Sequence, residues 1–258
     1  LALLYNADMI VGLPRPAIFA HRGASARAPE NTLAAFELAI QEGADAIELD
    51  AQLTADGAVI VFHDIGLDRL TTGSGSISNT RLEEIRELDL RGKPGVQDQR
   101  HRIPLLEEVL EELGSKSVFN IHIKSYPGSR PGLVREVCQA ISRHGLQERV
   151  LFSSFDPMDL MRASKLLREV PRALLAARGW MGAWSRSFGF AFGDYAALHA
   201  HEADVTAQQI RRVHRLGRRL HAWTVNDPAR MRQLAAWGID GVLTDDPAGA
   251  ARAFGRIR

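Results

Sequence analysis

Two carboxylates spaced two residues apart, Glu48 and Asp50, close an apolar run in this 258-residue chain, and His63-Asp64 closes the next. His21-Arg22-Gly23 ends an earlier run, and Asn120, His122 and Lys124 alternate along a later one. Carboxylates on a rigid strand are hard oxygen ligands, suited to Mg2+, Mn2+ or Ca2+. Two histidines of ordinary pKa, about 6.5, can serve as general base and general acid at neutral pH. Arg22 offers a planar fork for a phosphate, and Lys124 a compact positive charge. A metal, an acid–base pair and an anion clamp describe a phosphodiester-cleaving site. They also describe an enolising isomerase or an aldolase, and residue chemistry alone leaves these open. Any one of these residues reads as a satisfied polar group. Their gathering at successive strand ends is what argues for function.

Short β-like runs must position them. Candidate strands are 17–21, 45–50, 58–63, 117–123, 149–153, 171–175, 195–199, 219–224 and 239–243, with amphipathic segments at 32–42, 131–144, 156–168, 206–216 and 228–237. Strand–helix alternation over about 250 residues predicts an α/β fold, a (β/α)8 TIM-type barrel filling 1–258 as a single domain. Nine candidates exceed eight staves. The runs 45–50 and 58–63 are too close for a parallel crossover and flank Asp56-Gly57, a hairpin signal. With those two residues as the turn, Ala55 faces Ala58, and Asp50 faces His63 with Glu48 on the same face. The stretch 64–103, rich in Gly, Ser, Thr and charge, reads as a small insertion near the barrel mouth, with one helical segment at 79–90.

The chain is 45% hydrophobic and 24% charged, enough for a sizeable core, and its net charge of +1 gives no reason to expect a nucleic acid. The lone Cys138 excludes an internal disulfide and fits a reducing compartment. Its neighbours Val134, Val137 and Ile141 make it a buried structural residue. No apolar run approaches the roughly 18–20 residues of a membrane span, and LALLYNADMI lacks a basic leader region. These features predict a cytoplasmic protein with no stable membrane insertion. Trp180, Trp184, Phe188 and Phe192 recur every four residues. Against a greasy patch for lysophospholipid chains or a membrane surface, they read as the barrel-facing side of an outer helix, because interspersed glycines weaken a freestanding amphipathic one and no basic face accompanies the stripe.

The run "HRGASARAPENTLAAFELAIQEGADAIELDAQLTADGAVIVFHD" resembles the N-terminal signature of the glycerophosphodiester phosphodiesterases. The likeness continues through "LDRLTTGSGSI", "IPLLEEVL", "SSFDP", "HAWTVNDP" and "GIDGVLTDDP", from about Ile18 to Pro247. It implies a (β/α)8 barrel with an insertion after the HD motif, and metal-dependent hydrolysis of a small-molecule glycerophosphodiester to an alcohol and glycerol 3-phosphate. Carried over by position, His21 and His63 become the acid–base pair. Glu48 and Asp50 become metal ligands, Arg22 and Lys124 phosphate contacts, and Trp223 a wall of the substrate pocket. The family strand reads N-x-E-x-K, whereas "NIHIK" places His122 at the third metal ligand. Imidazole ligates borderline cations, so the resemblance implies a Glu48–Asp50–His122 site with Mn2+, Co2+ or Zn2+ gaining over Ca2+. The alternatives are lysophospholipase D action on the same head group and a non-catalytic phosphate- or metabolite-binding barrel.

Overall fold

The computed structural model describes residues 12–91, 102–126 and 131–256. The LALLYNADMI stretch and most of the RGKPGVQDQRHR run lie outside the described residues. Strands β1 (Ala17–His21), β2 (Ala46–Leu53), β3 (Val59–Val61), β4 (Val118–Ile123), β5 (Val150–Ser154), β6 (Arg172–Ala176), β7 (Ala197–His201), β8 (Arg219–Trp223) and β9 (Gly241–Thr244) form one sheet. Eight of them close a parallel barrel, because β1 pairs with both β9 and β2. The ninth, β3, is antiparallel to β2. β2 has room for it: residues 46–48 pair with β1, and 51–53 pair with β3.

Helices α1 (Leu33–Gln41), α2 (Leu82–Arg86), α3 (Leu106–Leu113), α4 (Leu133–His144) and α5 (Pro157–Leu166) are followed by a short turn, α6 (Phe190–Phe192). The series ends with α7 (Ala207–Arg215), α8 (Pro228–Ala236) and α9 (Pro247–Ala253). Three of them start at Asp-Pro. The carboxylates of Asp156, Asp227 and Asp246 accept from the backbone N–H of Met158, Ala229 and Gly249. Proline sits at the first helical position, where no N–H is needed. These caps fix the loops leaving β5, β8 and β9, which build the C-terminal mouth.

The main core lies between strands and helices and includes Ile47, Leu49, Phe119, Phe152 and Val137. Alternate strand residues point into the barrel, where Phe19, Leu151, Ala173 and Leu243 pack together, Leu243 reaching the pocket at the mouth. Cys138 is buried in the outer core, and burial pushes its thiol up to about 12, as a structural cysteine requires. The insertion after β3 carries its own small cluster, in which Ile77, Ile85 and Ile103 pack on Ile60 and Phe62. Its helical segment is shorter than expected, with only 82–86 helical.

Two expectations fail. The hairpin turn has three residues, not two: Thr54 N–H donates to the Ala58 carbonyl, with Gly57 at φ +87°. That left-handed position favours glycine and adds a residue to the turn. The ladder therefore pairs Ala51 with Val61, and Phe62 N–H, rather than His63, meets the Asp50 carbonyl at 2.9 Å. The aromatic stripe is the second. Trp180, Trp184, Phe188 and Phe192 face solvent instead of the barrel. Their segment is a succession of short 3-10 and π-type turns, 179–182 and 185–189, whose inward positions are Gly182, Gly189 and Phe190. Phe190 is the anchor, stacked on Tyr195 with Arg218 over its ring at 4.9 Å.

Candidate active site

Parallel register carries the polar residues to one end of the barrel. His21 pairs with Glu48, Glu48 with Asn120, and Asp50 with His122. Just past β1 the chain turns sharply. Arg22 takes φ +58°, and its N–H donates to both the carbonyl and the carboxylate of Glu48. Gly23 follows against α1, where a Cβ would lie 2.7 Å from Ala35 backbone. Only glycine tolerates that approach at φ +83°. Glu48, Asp50 and His122 are buried, and one ligand atom from each lies within 4.8 Å of the others.

The charge balance of this trio fits a cation. Burial and the adjacent Asp50 charge push the Glu48 carboxyl above its ordinary value. Burial acts on Asp50 too. There it is outweighed by the hydrogen bond from His122, supported by the charges of Lys124 and Arg22, and the carboxyl stays well below its ordinary value. His122 Nδ1 lies 2.9 Å from Asp50 Oδ1. An ionised carboxylate only accepts, so Nδ1 carries the proton and Nε2 keeps the lone pair. Two buried carboxylates with one imidazole form a mixed donor set for a divalent ion. Asn31, also at φ +58°, fixes Asp50 from the far side through its side-chain amide at 3.0 Å.

His21 and His63 share the pocket with these residues. Each sets Nδ1 against a carboxylate at 2.7 Å, Asp245 for His21 and Asp64 for His63. In each ring Nδ1 therefore donates, and Nε2 is left for the pocket. Their titrations diverge. Burial lowers His21, but the Asp245 hydrogen bond and the Glu48 charge outweigh it, and the net shift is upward. Burial dominates at His63 and takes it below the ordinary value. His63 lies beyond the last ladder pair, so the one-residue slip does not turn it away. The Gln52 amide holds its segment, donating to the carbonyls of Phe62 at 2.6 Å and Asp64 at 2.9 Å.

Arg22 joins the group through Glu30 at 2.9 Å and lies 3.4 Å from Asp50, while Lys124 Nζ is 3.9 Å from Asp50. Burial pulls the Lys124 ammonium below its ordinary value against the opposing charge of Asp50. Trp223 closes one wall, with Nε1–H donating to the His199 carbonyl at 3.1 Å and Phe155 edge-on to its ring. The pocket narrows to about 60 Å³, and a wider cleft of about 330 Å³ opens beside it, sharing His21 and Arg22. Every residue expected at the site is thus in one place. Sequence reasoning overlooked Asp245, Asn31, Gln52 and Phe155. Asp245 and Asn31 stood within the motifs TDDP and APENT, but their partners lie 224 and 19 residues away.

Cationic side chains beside a buried acidic pair, at the open end of a parallel barrel, fit a phosphoric diester hydrolase. The profile of the Glycerophosphoryl diester phosphodiesterase family matches residues 21–249. A glycerophosphodiester phosphodiesterase of Caldanaerobacter subterraneus subsp. tengcongensis is 37% identical over 231 residues, covering 89% of this chain and 94% of that protein. One from Bacillus altitudinis is 34% identical over 237 residues, covering 89% and 94%. A solved structure of an Oleispira antarctica phosphodiesterase, in complex with the product sn-glycerol-3-phosphate, superposes with a TM-score of 0.83 at 33% identity, covering 93% of this chain and 97% of that one. The chain belongs to the glycerophosphoryl diester phosphodiesterase family, and its reaction is the hydrolysis of glycerophosphodiesters.

Proposed function

We propose that the chain releases glycerol 3-phosphate and a free alcohol, with His63 as base and His21 as acid. The observation that supports these roles is the opposed titration of the two rings in one pocket, each oriented by its own carboxylate. Environments that push two groups apart assign base and acid. Arg22 and Lys124 hold the phosphate oxygens, and Trp223 packs against the glycerol. His63 Nε2 takes the proton from the neighbouring glycerol hydroxyl as its oxygen attacks phosphorus. His21 Nε2 gives a proton to the departing alcohol oxygen as the P–O bond breaks. The histidines then exchange roles. His21, now neutral, deprotonates a water that opens the cyclic phosphate, and His63 returns its proton to the released glycerol oxygen.

Glu48, Asp50 and His122 hold a divalent ion. When bound, it offsets negative charge on the phosphate oxygens. With imidazole in place of a third carboxylate, Mn2+, Co2+ or Zn2+ gains relative to Ca2+, while Mg2+ remains usable. Among the described residues no helix is long and apolar enough to cross a membrane. The lone buried Cys138 supports a reducing, cytoplasmic setting.

The test offers glycerophosphocholine, glycerophosphoethanolamine and a lysophospholipid with Mg2+, Mn2+ or Ca2+, and measures released alcohol and glycerol 3-phosphate. Turnover of the first two substrates, greatest with Mn2+, is expected. Binding of glycerophosphocholine with no release under any metal would make the chain a binding barrel.

A further inference from the structure

The connection leaving β6 carries the most exposed apolar side chains among the described residues. Trp180 is 86% exposed, Met181 65%, Trp184 56%, Phe188 68% and Phe192 85%. At these exposures the four rings show on the order of 600 Å² of apolar surface, at or above the largest patch of an ordinary soluble monomer. The segment is fastened to the mouth. Gly179 N–H donates to Asp204 at 2.7 Å, and Arg186 pairs with the same carboxylate at 3.0 Å. Asp204 lies in the turn that directly follows β7 at its C-terminal end. Phe155 and Met158, at the end of the adjacent β5, are also exposed, and Phe155 is edge-on to both Trp223 and His122. Exposed apolar side chains thus stand both at the rim of the pocket and along the connection that leaves the next strand.

We infer that this surface docks the barrel mouth onto a lipid–water interface. Its composition favours lipid over a second copy of the chain. Residues 177–193 hold no carboxylate; Arg186 is matched by Asp204, and the exposed Arg178 leaves the segment with one free positive charge for an anionic surface. Two tryptophans stand at its mouth end, and indole is suited to the head-group region, with an apolar body and a polar N–H. The chemistry of the pocket agrees, since a glycerophosphodiester is a phospholipid without its acyl chains. The irregular turns present the rings without a continuous amphipathic helix, which suits shallow, reversible attachment.

Co-sedimentation with unilamellar vesicles of phosphatidylglycerol, and separately of phosphatidylcholine, reads docking without reference to catalysis. The parent chain is expected to sediment with the vesicles, more strongly with phosphatidylglycerol. The variant Trp180→Ser/Trp184→Ser/Phe188→Ser/Phe192→Ser is expected to lose binding at least tenfold while turning over soluble glycerophosphocholine like the parent. Arg178→Glu should weaken phosphatidylglycerol binding about fivefold to tenfold and leave phosphatidylcholine binding unchanged. Should the fourfold variant misfold by circular dichroism, the pairs Trp180→Ser/Trp184→Ser and Phe188→Ser/Phe192→Ser carry the same test. A parent chain that stays in the supernatant with both vesicle types overturns the inference. So does a parent dimer, seen by sedimentation velocity, that the serine variant dissolves into monomers, since the patch then belongs to a second copy. Vesicle binding by a parent that turns over no substrate sinks the catalytic reading and leaves the docking one standing.

Discussion

At the mouth of the barrel His21, His63 and His122 each set Nδ1 against a carboxylate, at 2.7, 2.7 and 2.9 Å. One layer deeper, His199 on β7 and His221 on β8 face each other instead, Nδ1 of His221 lying 3.0 Å from Nε2 of His199. Burial drives His199 down to about 3 and His221 well below its ordinary value. Burial acts on His21 as well, yet Asp245 and Glu48 reverse the outcome. At His21 the carboxylate reverses what burial alone would do, whereas His199 and His221, with no carboxylate, stay neutral packing elements. Inside the barrel, a carboxylate partner separates the mouth histidines from the pair beneath them.

The comparison breaks most visibly if the mouth histidines prove dispensable. His63→Ala and His21→Ala should each lower kcat by the roughly 10²–10⁴-fold of lost acid–base catalysis, with the circular dichroism spectrum unchanged. Near-parental turnover in either variant removes that ring from the mechanism. A step smaller, His122→Ala should weaken Mn2+ binding by about 100-fold in isothermal titration, with Glu48 and Asp50 left to hold the ion. His122→Glu should raise Ca2+ affinity relative to Mn2+, because hard oxygen replaces imidazole. Unaltered metal binding in His122→Ala would make that ring only a partner of Asp50.

Asp245→Asn sharpens the comparison further. The carboxylate is what outweighs burial at His21, so its removal lowers the His21 pKa. An acid must hold its proton, and a lowered pKa loses that proton at a lower pH. The high-pH limb of the kcat profile should therefore move toward acid, with about a tenfold fall in kcat at neutral pH. An unshifted limb would mean that Asp245 orients the ring without setting its proton affinity.

How much of this was legible follows from the range of each interaction. All nine strands stood out in the sequence, since period-2 apolar runs bounded by turns are local signals. Glu48, Asp50, His63, His122 and Lys124 were legible because residue type and strand-end position sufficed. The hairpin register was not: Asp56-Gly57 reads equally as a two-residue turn or as the end of a three-residue one, and Thr54 pairing with Ala58 decided it. The stripe at 180–192 has helical spacing, but spacing fixes which residues share a face and not where that face points. Glycines at 182 and 189 occupy the barrel side, so the rings lie outside. The acid that orients His21 was hidden because the closure of β9 on β1 brings it in, and Asn31 because it reaches Asp50 from the turn after β1.

The smallest effect on catalysis belongs to the floor pair, and it bears on whether the two layers are truly distinct. His199→Leu leaves His221 Nδ1 facing an apolar neighbour, and an unpaired buried polar atom costs about 1–3 kcal/mol of stability. Turnover should stay within about twofold, since neither ring has a carboxylate to set a proton near neutral pH. Replacing both, as His199→Leu/His221→Phe, should cost less than the two single changes together, because no orphaned partner remains. Acid sensitivity supplies an independent sign. His199 binds a proton near pH 6.5 when unfolded but only near 3 when folded. Between those values the unfolded chain holds the extra proton, so stability rises with pH across that window and falls as acid is added. His199→Leu should flatten that part of the urea-unfolding profile against pH, whatever it does to the midpoint at neutrality. If instead His199→Leu keeps its fold and loses turnover a hundredfold, the floor histidines feed the mouth. The division by carboxylate accompaniment would then have to be replaced by one continuous proton-handling column through the barrel.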